Sequence, residues 1–411
     1  MKITAVWARE ILDSRGNPTV EVDIVTEQSF GSAAAPSGAS TGKHEAVELR
    51  DGEERYGGKG VLRAVENVRN IIAPGIVGMD VSDQAGIDQK MKELDGTPNK
   101  AKLGANAMVA TSMAAYRAAA ASEGKAVFER LGGNTLPYPM FNILNGGKHA
   151  GGNLSIQEFM VIPNADMFSE RLRMGSEIYH TLGKLLVKKY GPGAKNVGDE
   201  GGFAPQIESA HDALEAITEA IEEAGYKDYC GLALDSAADS FYDEKTKKYN
   251  VDGKKLDEGE LLEYYVELAG KYRIASMEDP FYEDSFDAFA ELTKKLSPKV
   301  QIVGDDLLVT NVERIKKAIE HKSVTALLLK VNQIGTVSES LEAAKLCRDN
   351  GMNVVVSHRS GETSDSFIAD LAVGIDSGQI KTGAPARGER CSKYNQLLRI
   401  EEKLMLEGGK Q

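Results

Sequence analysis

The chain has 411 residues and a formal net charge of −13, with 42% hydrophobic and 27% charged residues. This length predicts two domains unless one of them is a barrel. The acidic balance, with no basic block, argues against a nucleic-acid or anionic-membrane surface. No stretch approaches the roughly 20 apolar residues of a membrane span. The first residues also carry charges where a signal peptide would be apolar. Three widely spaced cysteines are typical of a reducing compartment, so we expect a cytoplasmic protein.

The first third of the chain predicts strands followed by helices. Alternating residues predict strands at 2–12 and 19–30. The small residues at 36–42 are either an inert linker or a mobile lid over a site. Apolar residues at helical spacing predict three helices, at 61–72, around 87–94 and at 103–122, the last of them buried and capped by Gly124. We therefore expect an α+β domain over residues 1–133.

The remainder, residues 134–411, alternates between strand and helix patterns. Eight such strands joined by helical crossovers indicate a (β/α)8 barrel of the TIM type. A doubly wound open sheet is the main alternative, but the glycine fingerprint that usually follows its first strand is missing. The candidate strands lie at about 138–143, 154–162, 231–235, 274–278, 301–305, 326–330, 353–357 and 379–381.

Three successive apolar strands end in carboxylates, which are Asp235, Glu278 and Asp305. The strand ends of a barrel converge on one face, so these acids should lie close together. Carboxylates that close repel each other and need a cation, and hard oxygen ligands suit Mg²⁺ or Mn²⁺. The alternative is that they are solvated acids in turns.

Later strands end in cationic and hydroxyl groups. Lys330 closes one buried strand, where a lysine either reaches back to the surface or serves as a base. Neighbouring Arg359 and Lys381, together with a metal, predict a lowered pKa for Lys330. Arg359 and Ser360 form a pair suited to phosphate. His358, by itself, could equally be a satisfied core histidine.

Two glycine-rich segments add candidate site residues. The segment 145–152 carries His149, and Gln157 and Glu158 lie on the strand that follows. In GDEGG, glycines flank Glu200 and let the backbone approach a ligand closely. A lysine base, a carboxylic acid, divalent metal and an anion clamp together suit proton abstraction beside a carboxylate.

Long motifs throughout the chain resemble the enolase family. They are AREILDSRGNPTVEV and PSGASTGKHEA near the N-terminus, GDEGG at Glu200, GDDLLVT at Asp305, LLLKVNQIGT around Lys330, VVVSHRSGETSDSFIADLAVG and QIKTGAPARGER. The resemblance covers essentially the whole chain. It implies an N-terminal capping domain and an irregular barrel whose second strand runs antiparallel.

The resemblance also implies a reaction and its residues. The reaction is the reversible dehydration of 2-phosphoglycerate to phosphoenolpyruvate in glycolysis and gluconeogenesis, with Lys330 as the base at C2 and Glu200 as the acid. Two Mg²⁺ ions per subunit are implied, with Mn²⁺ able to substitute, on the ligands Asp235, Glu278, Asp305 and Ser40 of the lid. The implied substrate contacts are His149, Gln157, Glu158, Glu278, Asp305, Lys330, Ser357, His358, Arg359, Ser360 and Lys381.

The same resemblance implies a homodimer or homo-octamer and a cytoplasmic location, with a secondary cell-surface or extracellular location allowed. Two other functions remain open at this point. One is a related lyase acting on a sugar acid, against which the phosphate clamp and the lid count. The other is a surface or scaffold binding role beside catalysis.

Overall fold

A computed structural model describes residues 1–39, 42–52, 54–150, 152 and 154–408. The N-terminal part begins with a three-stranded antiparallel sheet in the order β1-β2-β3, of which the residue pattern by itself predicted only the first two strands. The predicted 61–72 helix is interrupted by a π-helical turn at Val68–Ile72. The elements are β1 Ile3–Leu12, β2 Pro18–Thr26, β3 Phe30–Ala34, α1 Leu62–Asn67, α2 Ala73–Ile76, α3 Gln84–Asp95, α4 Ala105–Ser122 and α5 Val127–Leu131.

Helix α4 is the centre of this first part. Its alanines and methionines are buried almost all round, as predicted. The Gly31 backbone of β3 approaches so closely that an added Cβ would lie 2.2 Å from the carbonyl oxygen of Ala114. Gly124, at a φ of +68°, follows the end of the helix, where the left-handed conformation favours glycine.

The second part is built around a closed eight-stranded barrel, which confirms the predicted (β/α)8 architecture. Its strand β5 pairs antiparallel with both neighbours, and the remaining neighbours pair in parallel. The barrel strands, in order around the barrel, are β4 Tyr138–Asn145, β5 Glu158–Pro163, β6 Cys230–Asp235, β10 Ile274–Glu278, β11 Gln301–Gly304, β12 Ala326–Leu329, β13 Asn353–Ser357 and β14 Gly378–Lys381. A small antiparallel sheet after β6 comprises β7 Tyr242–Asp243, β8 Lys248–Val251 and β9 Lys254–Leu256.

Helices surround the barrel strands and short ones lie at their ends. The predicted strand at 154–162 begins only at Glu158, and the glycine-rich segment before it contains a short helix. The helices are α6 Gly147–Ala150, α7 Phe168–Tyr190, α8 Ala210–Glu223, α9 Glu258–Lys271, α10 Phe286–Leu296, α11 Val312–His321, α12 Val331–Ile334, α13 Val337–Asp349, α14 Phe367–Gly374 and α15 Gly388–Gly408.

The inside of the barrel is a packed core. A compact apolar cluster that includes Met140, Met160, Leu328 and Val355 fills it. A larger cluster joins the outer strand faces to the surrounding helices and to α4. Polar chemistry is therefore confined to the rims. None of the helices in the described ranges is long and apolar enough to cross a membrane.

Candidate active site

The register of the barrel strands brings acids to one rim. Asp235 at the end of β6 lies opposite Glu278 at the end of β10. Asp235 also lies opposite Glu158, which is the first residue of the antiparallel strand β5. Because β5 runs in the reverse direction, its start meets the carboxyl ends of its neighbours. The reversal therefore explains how an early residue of β5 joins the strand-end acids.

A single buried lysine contacts all three acids. The ammonium of Lys381, at the end of β14, donates to Asp235 Oδ2 at 2.8 Å and to Glu278 Oε1 and Oε2 at 2.9 and 2.8 Å. It lies 3.4 Å from Glu158 Oε2. Burial opposes the charge on Lys381, but the carboxylates outweigh it and hold the pKa of Lys381 well above its usual value. Lys381 is thus the counter-ion of this cluster.

Lys330 and Asp305 form a second buried ion pair. Lys330 Nζ donates to Asp305 Oδ2, and Gln333 Nε2 donates to Asp305 Oδ1 at 2.8 Å. Burial lowers the pKa of Lys330, as do Arg359 and Lys381, but the nearby carboxylates, Asp305 foremost, together raise it above its usual value. The expectation of a lowered pKa is therefore wrong in this structure, because the carboxylates outweigh burial and the cations.

Two further acids stand behind Asp305. Asp279 accepts the backbone N–H of Asp305 at 2.8 Å and that of Asp306 at 2.6 Å, so it fixes the end of β11. Burial and the neighbouring carboxylates raise the pKa of Asp279 and of Asp306 well above their usual range. The sequence analysis assigned no role to either residue, and only their position beside Glu278 and Asp305 could have indicated one.

The opposite wall of the site holds Glu200 among histidines. His149 Nδ1 lies 3.8 Å from both Glu158 Oε1 and Glu200 Oε1, and His358 Nε2 lies 3.2 Å from Glu200 Oε2. Burial raises the pKa of Glu200, but His358 and His149 bring it well below its usual value. Burial, followed by the charge of Glu200, raises the pKa of Glu158. Within this acid pair, Glu158 therefore binds a proton more readily than Glu200 does.

Arg359 is held by a residue that the sequence reasoning did not assign. Its guanidinium donates to Glu45 Oε2 and Oε1 at 3.0 and 3.1 Å, in a buried two-point pair. Glu45 lies just beyond the 36–42 run, within GKHEA, so it links that segment to the rim. Ser37 pairs with Gly361 beside Arg359, which anchors this residue to the barrel at this point.

The predicted site residues converge, with one exception that lies outside the described residues. Ser40 is that exception. One cavity at this rim is lined by Glu200, Asp235, Asp305, Lys330, Lys381, His149, Gln157, Glu158, Ser357, His358, Arg359 and Ser360. Glu278 contacts the same Lys381 ammonium. Gln157 Nε2 lies 3.5 Å from Asp235 Oδ2, and Ser360 Oγ lies 3.2 Å from His149 Nε2.

The acids at this rim fit a hard divalent cation. Asp235, Glu278 and Asp305 are buried, and each is paired with a lysine ammonium, so their charge requires a cation. Among described residues, Asp305 also belongs to a trio with Asp279 and Asp306 whose ligand atoms lie within 4.8 Å of one another. Asp235 and Glu278 belong to no such trio in the described ranges. Oxygen donors of this kind suit Mg²⁺ or Mn²⁺.

The fold and the site together define the class of protein. It is a barrel enzyme whose strand ends present buried carboxylates and lysines, covered by an N-terminal α+β part. Family models agree with this class. The model "Enolase, N-terminal domain" matches residues 3–131, and "Enolase, C-terminal TIM barrel domain" matches residues 133–409.

Curated relatives named enolase match over nearly their full length. The enolase of Methanocaldococcus jannaschii is 58% identical over 410 residues, which are 98% of this chain and 96% of the relative. Those of Thermococcus gammatolerans and Methanosarcina barkeri are 59% and 57% identical over 409 residues, covering 98% of this chain and 95% of each relative. The chain belongs to the enolase family, whose members are metal-dependent hydro-lyases that act on a small-molecule substrate.

Proposed function

We propose that this chain catalyses the reversible dehydration of 2-phospho-D-glycerate to phosphoenolpyruvate. The observation that carries the proposal is the meeting of Lys330 and Glu200 in one buried cavity, in a chain with 55–59% identity to enolases. The high identity over nearly the whole length disfavours a sugar-acid lyase. No observation favours a scaffold role over catalysis.

We assign the proton transfers to residues on opposite walls of the cavity. Lys330 accepts the C2 proton of the substrate, for which its amine has to be neutral; the nearby cations Arg359 and Lys381 favour that state, and the Asp305 carboxylate opposes it. Glu200 assists departure of the C3 hydroxyl. Glu158, whose pKa is raised by burial and by Glu200, lies beside Glu200, since their ligand atoms and that of His149 are within 4.8 Å of one another. The two carboxyls can therefore supply one proton to the leaving group.

Anionic groups of the substrate are assigned to the cationic rim. Arg359 offers a planar two-point donor for phosphate, and Ser360 a hydroxyl beside it. In this structure Glu45 takes those two donor positions of Arg359. His149, Gln157, Ser357, His358 and Lys381 complete the proposed contacts.

The proposed cofactor is Mg²⁺, with two ions per subunit and Mn²⁺ able to substitute. Asp235, Glu278 and Asp305 would hold one ion, and Ser40 would contribute to the other. Bound there, the metal would stabilise negative charge that develops on the substrate carboxylate. The trio Asp279, Asp305 and Asp306 concentrates negative charge around Asp305, which supports the binding of a cation there.

The wider organisation is also proposed. We propose domains at 1–133 and 134–411, supported by the boundary between the two family matches. We propose a homodimer or homo-octamer, supported by Trp7 and Leu12 of β1, which are 62% and 55% exposed. We propose a cytoplasmic location, supported by free cysteines, two of them buried. Light scattering of the purified protein would measure the assembly.

The decisive experiment follows the ultraviolet absorbance of the enol product after addition of 2-phosphoglycerate. We expect a rise with Mg²⁺ that excess chelator abolishes. Lys330→Ala should lose on the order of 10³-fold or more in turnover, because the base is removed. The control is Lys316→Ala, which removes an exposed lysine of α11. Near-wild-type turnover of folded Lys330→Ala would refute the assignment.

A further inference from the structure

A fully buried arginine of helix α15 lies directly behind the site. Arg390 has 0% exposure and is among the largest fully buried side chains of the described chain. Its guanidinium donates to the carbonyl oxygens of Arg359 at 2.6 Å, Ser360 at 2.5 Å and Asp199 at 3.0 Å. It therefore joins the end of β13 to the loop that carries Glu200. A buried charge requires partners of this number and quality.

The fourth contact of Arg390 has a chemical consequence. Arg390 Nη1 lies 2.6 Å from His358 Nδ1. A guanidinium has five donors, no acceptor, and cannot lose its proton in a protein. His358 Nδ1 must therefore be the acceptor in this contact. In a neutral imidazole the proton then lies on Nε2.

The other ring nitrogen faces the proposed acid. His358 Nε2 is buried without an aligned hydrogen-bond partner among the described residues, and Glu200 Oε2 lies 3.2 Å from it. The same Oε2 accepts a hydrogen bond from Asn142 Nδ2 at 3.0 Å, and the other oxygen, Oε1, lies 3.8 Å from His149 Nδ1. Burial lowers the pKa of His358 to about 4, so the ring is neutral near pH 7 and has a definite tautomer.

We infer that Arg390 is a positioning residue that fixes His358 as the Nε2–H tautomer and thereby directs an N–H donor at Glu200. The inference deepens the proposed function, because Glu200 is the proposed acid. Arg390 contacts no reacting group and acts only through His358 and the backbone. A merely structural arginine would hold the backbone carbonyls without determining which ring nitrogen carries the proton.

The first test leaves Arg390 in place. The whole protein is labelled with ¹⁵N-histidine, and ring ¹H–¹⁵N correlations are recorded near pH 7, with His358 assigned by its loss in His358→Gln. We expect a protonated Nε2 and an unprotonated, hydrogen-bonded Nδ1. A proton on Nδ1, or on both nitrogens, would overturn the inference. This readout does not depend on catalytic activity, so it separates failure of the inference from failure of the proposed reaction.

The second test compares two buried arginines. Arg390→Met should allow a second His358 tautomer and lower kcat on the order of 10-fold to 100-fold, with Arg390→Lys recovering part of both. Arg171→Met is the matched control, since Arg171 is also buried and donates to the carbonyl oxygens of Ala165 and Pro137 far from the site. It should leave the His358 tautomer unchanged. An unchanged tautomer in folded Arg390→Met would overturn the inference.

Discussion

Substitution of Lys381 by methionine tests the electrostatics of the site most directly. The ammonium donates to Asp235 and to both oxygens of Glu278, and it lies within ion-pair distance of Glu158. Methionine has a similar length but no charge, so Lys381→Met would leave three buried carboxylates without their cation. Removing one partner of a buried ion pair typically costs about 3–5 kcal/mol.

The metal should reverse part of that loss. A divalent cation at the proposed site would bring positive charge to the carboxylates that Lys381 leaves behind. Any ligand that binds only the folded state stabilises it by about 2.7 kcal/mol at 100 times its Kd. Without a competing ammonium, the variant should gain more from Mg²⁺ than the wild type does, by more than about 1 kcal/mol.

The assay is urea unfolding followed by circular dichroism, with Mg²⁺ and with excess chelator. The matched control is Lys393→Met, because Lys393 is also buried and pairs with Glu362 away from the acid cluster. We expect both variants to be destabilised in chelator, and only Lys381→Met to recover with Mg²⁺. Equal recovery of the two variants would refute the assignment of Lys381 as counter-ion of the metal-binding acids.

Three further predictions concern packing, pH and anion binding. Gly31→Ala should lower the free energy of unfolding, measured in urea, by about 1–3 kcal/mol or more, because the added Cβ would meet the backbone of Ala114 and Ala118. In Gly270→Ala the added Cβ meets nothing within 4 Å, so this control should be neutral or stabilising. Burial holds the pKa of His358 at about 4, so the unfolded chain takes up its proton first and stability falls by up to about 3 kcal/mol between about pH 6.5 and 4. His358→Gln should flatten the pH dependence of unfolding in that window, and an unchanged slope would contradict it. Arg359→Lys should raise KM on the order of 10-fold or more with a smaller change in kcat, since one planar two-point donor is lost; an unaltered KM would argue against the phosphate assignment.

The strand-end acids could be predicted from sequence because a barrel makes their position a matter of topology. Asp235, Glu278 and Asp305 each follow a short apolar run, and parallel strands of one barrel end at one rim. Glu158 could not be placed in this way, since it begins a strand instead of ending one. Only the antiparallel direction of β5, which came from the family resemblance, brings it to Asp235.

Contacts between distant segments were the part that sequence patterns could not give. Glu45 and Arg359 are 314 residues apart, and no periodicity in either segment indicates the other. Arg390 lies on a helix of mixed polarity, where an arginine ordinarily reaches solvent. The predicted direction of the Lys330 pKa shift was wrong for the same reason. Which charges lie nearest to the amine depends on side-chain geometry, and the positions of the strand ends do not specify that geometry.

The pairing of lysines with acids links the two proposed roles of this rim. Each acid proposed to hold the first metal ion is paired here with a lysine proposed to contact the substrate: Asp235 and Glu278 with Lys381, and Asp305 with Lys330. A divalent cation that takes these carboxylates would leave both lysines without their anions, facing the cavity. The Lys381 ammonium would then have the anionic groups of the substrate as its next partners, and Lys330 would lose the carboxylate that raises its pKa. We therefore expect metal binding both to strengthen substrate binding through Lys381 and to favour the neutral amine that a base at Lys330 requires.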